Sequence, residues 1–244
     1  DDLLSDLTTS EGSAVLVRND GRLGAWIDGD NARLLGVLPW VPAAAASKWI
    51  AVASTEPGAE GLFVASLADA ERSDATSEAW RAAGAQRIGL GGVEARVITR
   101  DVDRIERLLD EARVSLAARA IGAARSAVEH SVAYARDRVQ FEQPIGEFEA
   151  VRELIDASLV NVEAGEALVL RAAAELDAKP GRSPLASAAR RFSVGVIRQA
   201  GIDAVQVFGG YGYVNDYPVE KLMRDATAFA VRLGSESFER VRRG

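Results

Sequence analysis

At 244 residues the chain is long enough for one large domain or two ordinary ones, and its 48% hydrophobic content can fill a sizeable core. The net charge of −7 argues against a nucleic-acid backbone or an anionic membrane surface as the main partner. With no cysteine there is neither a disulfide framework nor thiol chemistry, which fits a cytoplasmic protein, and the single histidine, His130, excludes a multi-histidine metal site. No apolar run approaches the ~18 residues of a membrane span, and no basic-then-apolar leader is present.

The first hundred residues read as β structure. Short β-rich runs at 13–17, 22–27, 32–38, 48–54 and 61–67 are separated by NDG, DGDN and TEPGAEG, which is turn chemistry, and GLGGVEARVI (89–98) adds a further turn and strand. Their length and spacing predict a sandwich or barrel over residues 1–102. The Ala- and charge-rich stretch 69–84 is expected to be a connecting loop or short helix.

From Asp103 the pattern changes to helical spacing, without proline for over thirty residues. A second helix is expected from about Phe148 to Ala178 and a third from about Leu185 to Phe208. A short helix follows from about Val219, and a terminal one ends near Arg243. Three long antiparallel helices and two short ones make a helical bundle over 103–244, so the fold class is α+β multidomain, a β domain followed by helices.

Two stretches carry candidate chemistry. In YARDRVQFEQPI, from Tyr134 to Ile145, a helical stripe ends in a basic turn and Pro144 forbids its continuation. A guanidinium fork at Arg138, beside Gln140 and Phe141, suits a phosphate diester, although arginine is also favoured at a helix C-terminus by the dipole. In QVFGGYGYVNDYPVEKLMRDA, from Gln206 to Ala226, the glycines follow a helix and not a strand, which excludes a Rossmann phosphate loop. Gly209 and Gly210 instead allow close backbone approach to something flat or charged, or simply make a tight turn. Arg224 and Asp225 read as a local ion pair.

Together, over about 104–244, these stretches resemble the C-terminal helical domain of the acyl-CoA dehydrogenase family, whose pattern is Y-A-x-x-R-x-Q-F-G-x-P-I, then Q-x-x-G-G-x-G-Y, then R-D-A. GVLPWVP (Gly36 to Pro42) followed by KWIAVAS is similar to the family's β-domain turn and strand. The family's N-terminal helical domain has no counterpart in this sequence.

The resemblance implies that Arg138, Gln140, Phe141, Gln206, Gly209 and Gly210 contact an FAD held mostly by a neighbouring chain. It implies that Trp40 packs on an isoalloxazine ring, with Ser235 near the cofactor and Arg113 near a CoA-bearing substrate. Two departures stand out: Glu142 replaces the family's glycine in the helical domain, and Pro42 replaces a flavin-bonding threonine in the β domain.

The family reaction removes an α-proton and a β-hydride from an acyl thioester and needs a carboxylate base. The two positions where the family places that base are occupied here by Leu233 and Ala112, neither of which takes a proton. Glu111 precedes Ala112 but points ~100° away around a helix.

Residues that would complete a neighbour's cofactor site are kept, and those that would run chemistry in this chain's own site are lost. The resemblance therefore implies a non-catalytic subunit of a heterotetrameric, FAD-dependent enzyme. It would pair with a catalytic acyl-CoA dehydrogenase-like chain and act on acyl-CoA, steroid-derived thioesters among the candidates. Two alternatives stay open. One is a self-sufficient homo-oligomeric dehydrogenase with Glu111 or Glu236 as base; the other is an acyl-CoA-binding scaffold without flavin.

Overall fold

The computed structural model describes residues 13–232, and within them the chain forms two compact units that meet between Leu109 and Asp110. The first unit is built on a seven-stranded sheet: β1 (Ala14–Arg18), β2 (Leu23–Asp28), β3 (Asn31–Val41), β4 (Trp49–Ser54), β5 (Gly61–Ser66), β6 (Glu71–Asp74) and β7 (Gln86–Thr99). The strands run in the order β1-β4-β5-β7-β3-β2, with β6 on β7. Only the β1–β4 pair is parallel.

Period-two alternation places Ala32, Leu34 and Leu38 of β3 inward and Arg33, Leu35 and Val37 outward. Val15 and Val17 of β1 and Leu23 of β2 lie at opposite ends of the strand order, yet they share one core with Ile50, Phe63, Ile88 and Leu90. The sheet therefore folds over on itself in the manner of a sandwich. A bulge in the β3–β7 ladder, between Leu34 and Leu35 and opposite Gly91–Val93, supplies part of the bend.

The NDG turn is held by Asn19. Its amide donates to the Leu23 carbonyl at 2.9 Å and to the Ser54 hydroxyl at 3.1 Å, and its carbonyl oxygen accepts from the Gly21 and Leu23 N–H groups. One element departs from the sequence reading. Within 69–84 the chain makes strand β6, whose residues Glu71, Arg72, Ser73 and Asp74 are all exposed. It pairs along β7 through backbone hydrogen bonds and polar side-chain contacts such as Arg72 to Gln86 at 2.8 Å, and no alternation of apolar residues announces it.

Helix α1 (Val102–Asp137) starts where the Asp101 carboxylate accepts from the N–H groups of Asp103 and Arg104, the ordinary N-cap arrangement. Its first turns belong to the β unit, where Ile105 and Leu109 pack with Ala53, Leu16 and Leu62. The remainder of α1 belongs to the helical unit with α2 (Glu149–Ala178), α3 (Pro184–Phe208) and α4 (Val219–Val231). The three long helices and the helix from Val219 are those read from the periodicity. The expected terminal helix lies outside the described residues.

Contacts between Ser158 and Asp203 and between Gly165 and Phe192 run α2 and α3 antiparallel. Asp203 is buried; its carboxylate accepts from Ser158 at 2.7 Å and from the Gln199 amide at 2.8 Å. Arg125 of α1 bridges to Glu163 and Glu166 of α2. Arg224 pairs with Glu220 and Asp225 with Lys221, each one turn earlier on α4.

Helices α3 and α4 approach closely at Gly201, where an added Cβ would stand 2.8 Å from the Met223 Cα. Gly201→Ala is accordingly expected to lower stability by about 1–3 kcal/mol despite the better helix propensity of alanine, because the obstacle is backbone and cannot swing away. Urea unfolding of the two proteins checks this.

Candidate functional site

The ends of α1 and α3 come together at an aromatic cluster. Tyr134, in the last turn of α1, stacks on Phe208, the last residue of α3, with ring centroids 4.0 Å apart and planes 15° apart. Tyr217 sets its edge against both, at 5.9 Å from Tyr134 and 5.0 Å from Phe208, and Tyr211 lies 6.2 Å from Tyr217. Offset and edge-on arrangements of this kind add about 0.5–1.5 kcal/mol per pair beyond area burial. Burial holds the Tyr134 phenol above its ordinary pKa of 10.0, against the opposing pull of Arg138.

Beside the cluster, α1 ends and the chain turns back. Two-residue strands β8 (Val139–Gln140) and β9 (Gln143–Pro144) pair antiparallel, and the Ile145 N–H closes on the Arg138 carbonyl at 2.8 Å. The two-residue loop between them, Phe141–Glu142, has φ of 52° and 66°. Both values lie in the left-handed region, as a mirror-image hairpin turn demands. Each costs a side-chain-bearing residue about 1–2 kcal/mol relative to a right-handed position. This explains why glycine is at home at position 142 and why glutamate there is a departure.

At the end of α3, Gly209 adopts φ 57°, ψ −131°, a conformation open to glycine, and donates its N–H to the Gln206 carbonyl. A short 3-10 turn (Gly209–Tyr213) then folds back onto α3. Gly212 permits it: a Cβ there would stand 2.7 Å from the Val205 carbonyl oxygen. A Cβ on Gly210 would meet nothing within 4 Å, so the surface outside that residue is open.

Between the hairpin and the glycine turn lies a groove of about 550 Å³, lined by Arg138, Gln140 and Ile145 on one side and by Phe208, Gly209, Gly210 and Tyr211 on the other. The Arg138 guanidinium lies over the Tyr211 ring, 5.4 Å from its centroid, and no carboxylate among the described residues pairs with it. Both converging helices present their C-terminal ends, which carry partial negative charge. Any affinity for an anion therefore comes from Arg138 and not from a helix dipole.

An aromatic-backed arginine with open space beside two glycines fits the phosphate-bearing part of a dinucleotide such as FAD.

Of the residues read from the sequence, the structure gathers Arg138, Gln140, Gly209 and Gly210 around this groove. Gln206 is exposed one turn back on α3, outside the lining. Gln140 donates its amide to the Val139 carbonyl at 2.6 Å. Phe141 is 88% exposed at the hairpin tip.

Trp40 belongs to the β unit. It packs at 6.0 Å from Trp80, and its indole N–H is buried without a hydrogen-bond partner among the described residues. Pro42 is buried nearby in the chain. Arg113 is 1% exposed and pairs with Asp110 at 2.6 Å; the second Asp110 oxygen accepts from the Ser183 N–H at 2.9 Å. The charge expected to meet substrate is thus engaged inside the helical unit. Ala112 is half-buried and Glu111 exposed. Leu233, Ser235 and Glu236 lie outside the described residues.

The sequence reading missed the frame of the site. Phe208 carries no chemical signal of its own, and Tyr134 reads only as part of a motif. Tyr211 and Tyr217 pack against each other beside the glycine turn, whereas Tyr213 is 72% exposed.

Residues 102–241 match the family model described as the acyl-CoA dehydrogenase C-terminal domain. This chain belongs to the acyl-CoA dehydrogenase family. Among curated relatives, cyclohexane-1-carbonyl-CoA dehydrogenase of Geobacter metallireducens is 36% identical over 132 residues, covering 54% of this chain and 35% of that protein. A probable acyl-CoA dehydrogenase of Mycobacterium leprae is 29% identical over 242 residues, covering 90% of this chain and 60% of the relative. The chain thus spans less than two thirds of the length of these relatives.

Among solved structures, a variant of the Tcur3481–Tcur3483 steroid ACAD superposes with a TM-score of 0.84 at 24% identity, covering 99% of this chain and 68% of the other. Butyryl-CoA dehydrogenase of Megasphaera elsdenii gives 0.77 at 23% identity, covering 91% and 64%. At such identities these likenesses establish the fold. No described helix is long and apolar enough to cross a membrane.

The half-buried phenol of Tyr134 has a consequence at alkaline pH. In the unfolded chain Tyr134 ionises near 10, while in the folded chain it stays neutral to higher pH. Its contribution is therefore neutral below pH 10, and folded-state stability is lost as pH rises beyond that. Tyr134→Phe is expected to fall less steeply in thermal midpoint between about pH 9 and 11 than the parent protein.

Proposed function

We propose that this chain is a non-catalytic subunit of an FAD-dependent acyl-CoA dehydrogenase assembly and that it contributes contacts to a flavin held mainly by a catalytic neighbour of the same family. The observation that carries this reading is Arg138: a cation without a carboxylate partner among the described residues, backed by Tyr211 and opening onto a groove beside two glycines. Lysine would not reproduce the planar fork that grips a phosphate in bidentate fashion.

The second support is chemical. The positions where the family's proton acceptor is expected are Leu233 and Ala112, and Glu111 is exposed on the turn beside Ala112. When bound, FAD supplies the hydride acceptor for oxidation of an acyl thioester to the 2-enoyl thioester. The part assigned to this chain is binding. Arg138 neutralises phosphate charge, Gly209 and Gly210 leave room for close approach, and Gln140 lines the same groove, while Gln206 and Phe141 lie outside that lining.

The partner is an unlike chain in a heterotetramer, and the substrate class is acyl-CoA in the cytoplasm. Steroid-derived thioesters are the preferred candidates, on the likeness to the steroid ACAD named above.

The isolated chain is expected to purify without a flavin absorbance band and without turnover of acyl-CoA, and to gain flavin when co-expressed with a catalytic acyl-CoA dehydrogenase-like chain. Acyl-CoA turnover by the pure chain overturns the reading. Arg138→Ala is expected to weaken flavin retention by the complex by roughly 1.5–3 kcal/mol, the range for a hydrogen bond to a charged group. Flavin content unchanged by that substitution, measured by absorbance after gel filtration, argues against the contact.

A further inference from the structure

The loop that closes the β8–β9 hairpin is occupied by residues the chain's own folding does not favour. Both positions have positive φ, 52° at Phe141 and 66° at Glu142, where asparagine, aspartate or glycine would be at ease. Neither side chain is compensated within the described chain. Phe141 is 88% exposed and meets only the edge of Phe148, 6.2 Å away. Glu142 is exposed, and no cation among the described residues pairs with it.

The charge of Glu142 is also placed against the use of the site. The hairpin is closed by the Ile145–Arg138 hydrogen bond, so the acid sits on the same short structure as the cation expected to receive an anion. Left alone, a carboxylate there opposes anion binding. Strained conformations that persist without internal reward mark contact sites. A second copy of this chain carries a net charge of −7, a long-range repulsion that disfavours self-pairing through an acidic tip.

We propose that Glu142 is a partner-selecting contact: its carboxylate pairs with a lysine or arginine on the unlike, flavin-holding chain, while Phe141 seats in an apolar recess beside that cation. The pairing removes the unfavourable charge from the anion site and favours the unlike neighbour over a second copy. This inference rests on the trans role proposed above.

The test uses this chain and a catalytic acyl-CoA dehydrogenase-like chain that assembles with it. Dissociation constants are measured at low and high salt for the parent protein, Glu142→Gly, Glu142→Lys and Arg138→Ala. Glu142→Gly, whose glycine takes positive φ freely, is expected to keep or raise the thermal midpoint of the isolated chain while weakening assembly roughly tenfold, the loss of about one ion pair. Glu142→Lys weakens assembly further, and raised salt narrows the difference from the parent.

Assembly by Glu142→Gly or Glu142→Lys as tight as the parent's overturns the inference, as does a parent chain that prefers its own copies. Arg138→Ala separates the two ideas. If it loses flavin while both Glu142 variants assemble normally, only partner selection fails. If it keeps flavin, or the parent forms no complex, the trans role fails and this inference falls with it.

Discussion

The stack of Tyr134 on Phe208 is the contact on which the candidate site depends. One ring closes α1 and the other closes α3, and with centroids 4.0 Å apart they fix where two helices stop relative to each other. The hairpin that carries Arg138 leaves from the first of these ends and the glycine turn leaves from the second. Tyr217, edge-on to both rings, makes the junction a three-ring unit. Without it, a cation and two glycines would be two unrelated helix termini.

The electrostatics of the junction follow from its geometry. Two helix C-termini converge, so backbone dipoles favour cations and offer an anion nothing. Arg138 meets that preference and, lying over Tyr211, keeps its orientation without a carboxylate among the described residues to consume its charge. Arg113 is the contrast. Within α1 it is paired with Asp110 and 1% exposed, the condition of a structural arginine. The two residues share a side chain and differ in what surrounds it.

Much of the fold could be read from residue patterns because its elements bury one face. The β-rich run at 32–38, bounded by turn residues, announced β3, and the proline-free helical spacing after Asp103 announced α1. Strand β6 escaped because an edge strand with every side chain exposed is held by backbone bonds and polar contacts that leave no apolar pattern. At the site, Arg138, Gln140, Gly209 and Gly210 were legible as motif residues. Their proximity was not, since it is produced by aromatic contacts between segments some seventy residues apart in the chain. The mirror-image turn at Phe141–Glu142 was illegible for a different reason: its sequence carries none of the residues that normally mark such turns.

The buried carboxylate of Asp203 bears on how the α2–α3 pair is threaded. It accepts from Ser158 across the helix boundary and from Gln199 along its own helix. Sliding one helix past the other by a single pitch, about 5.4 Å, would strand that acid among apolar neighbours such as Ala200, Ala204 and Val207. The bond thus works as a detent: an interior dominated by alanine and valine, tolerant of many alignments, is given one notch in which to rest, and the glycines six and seven residues farther along inherit their position from it.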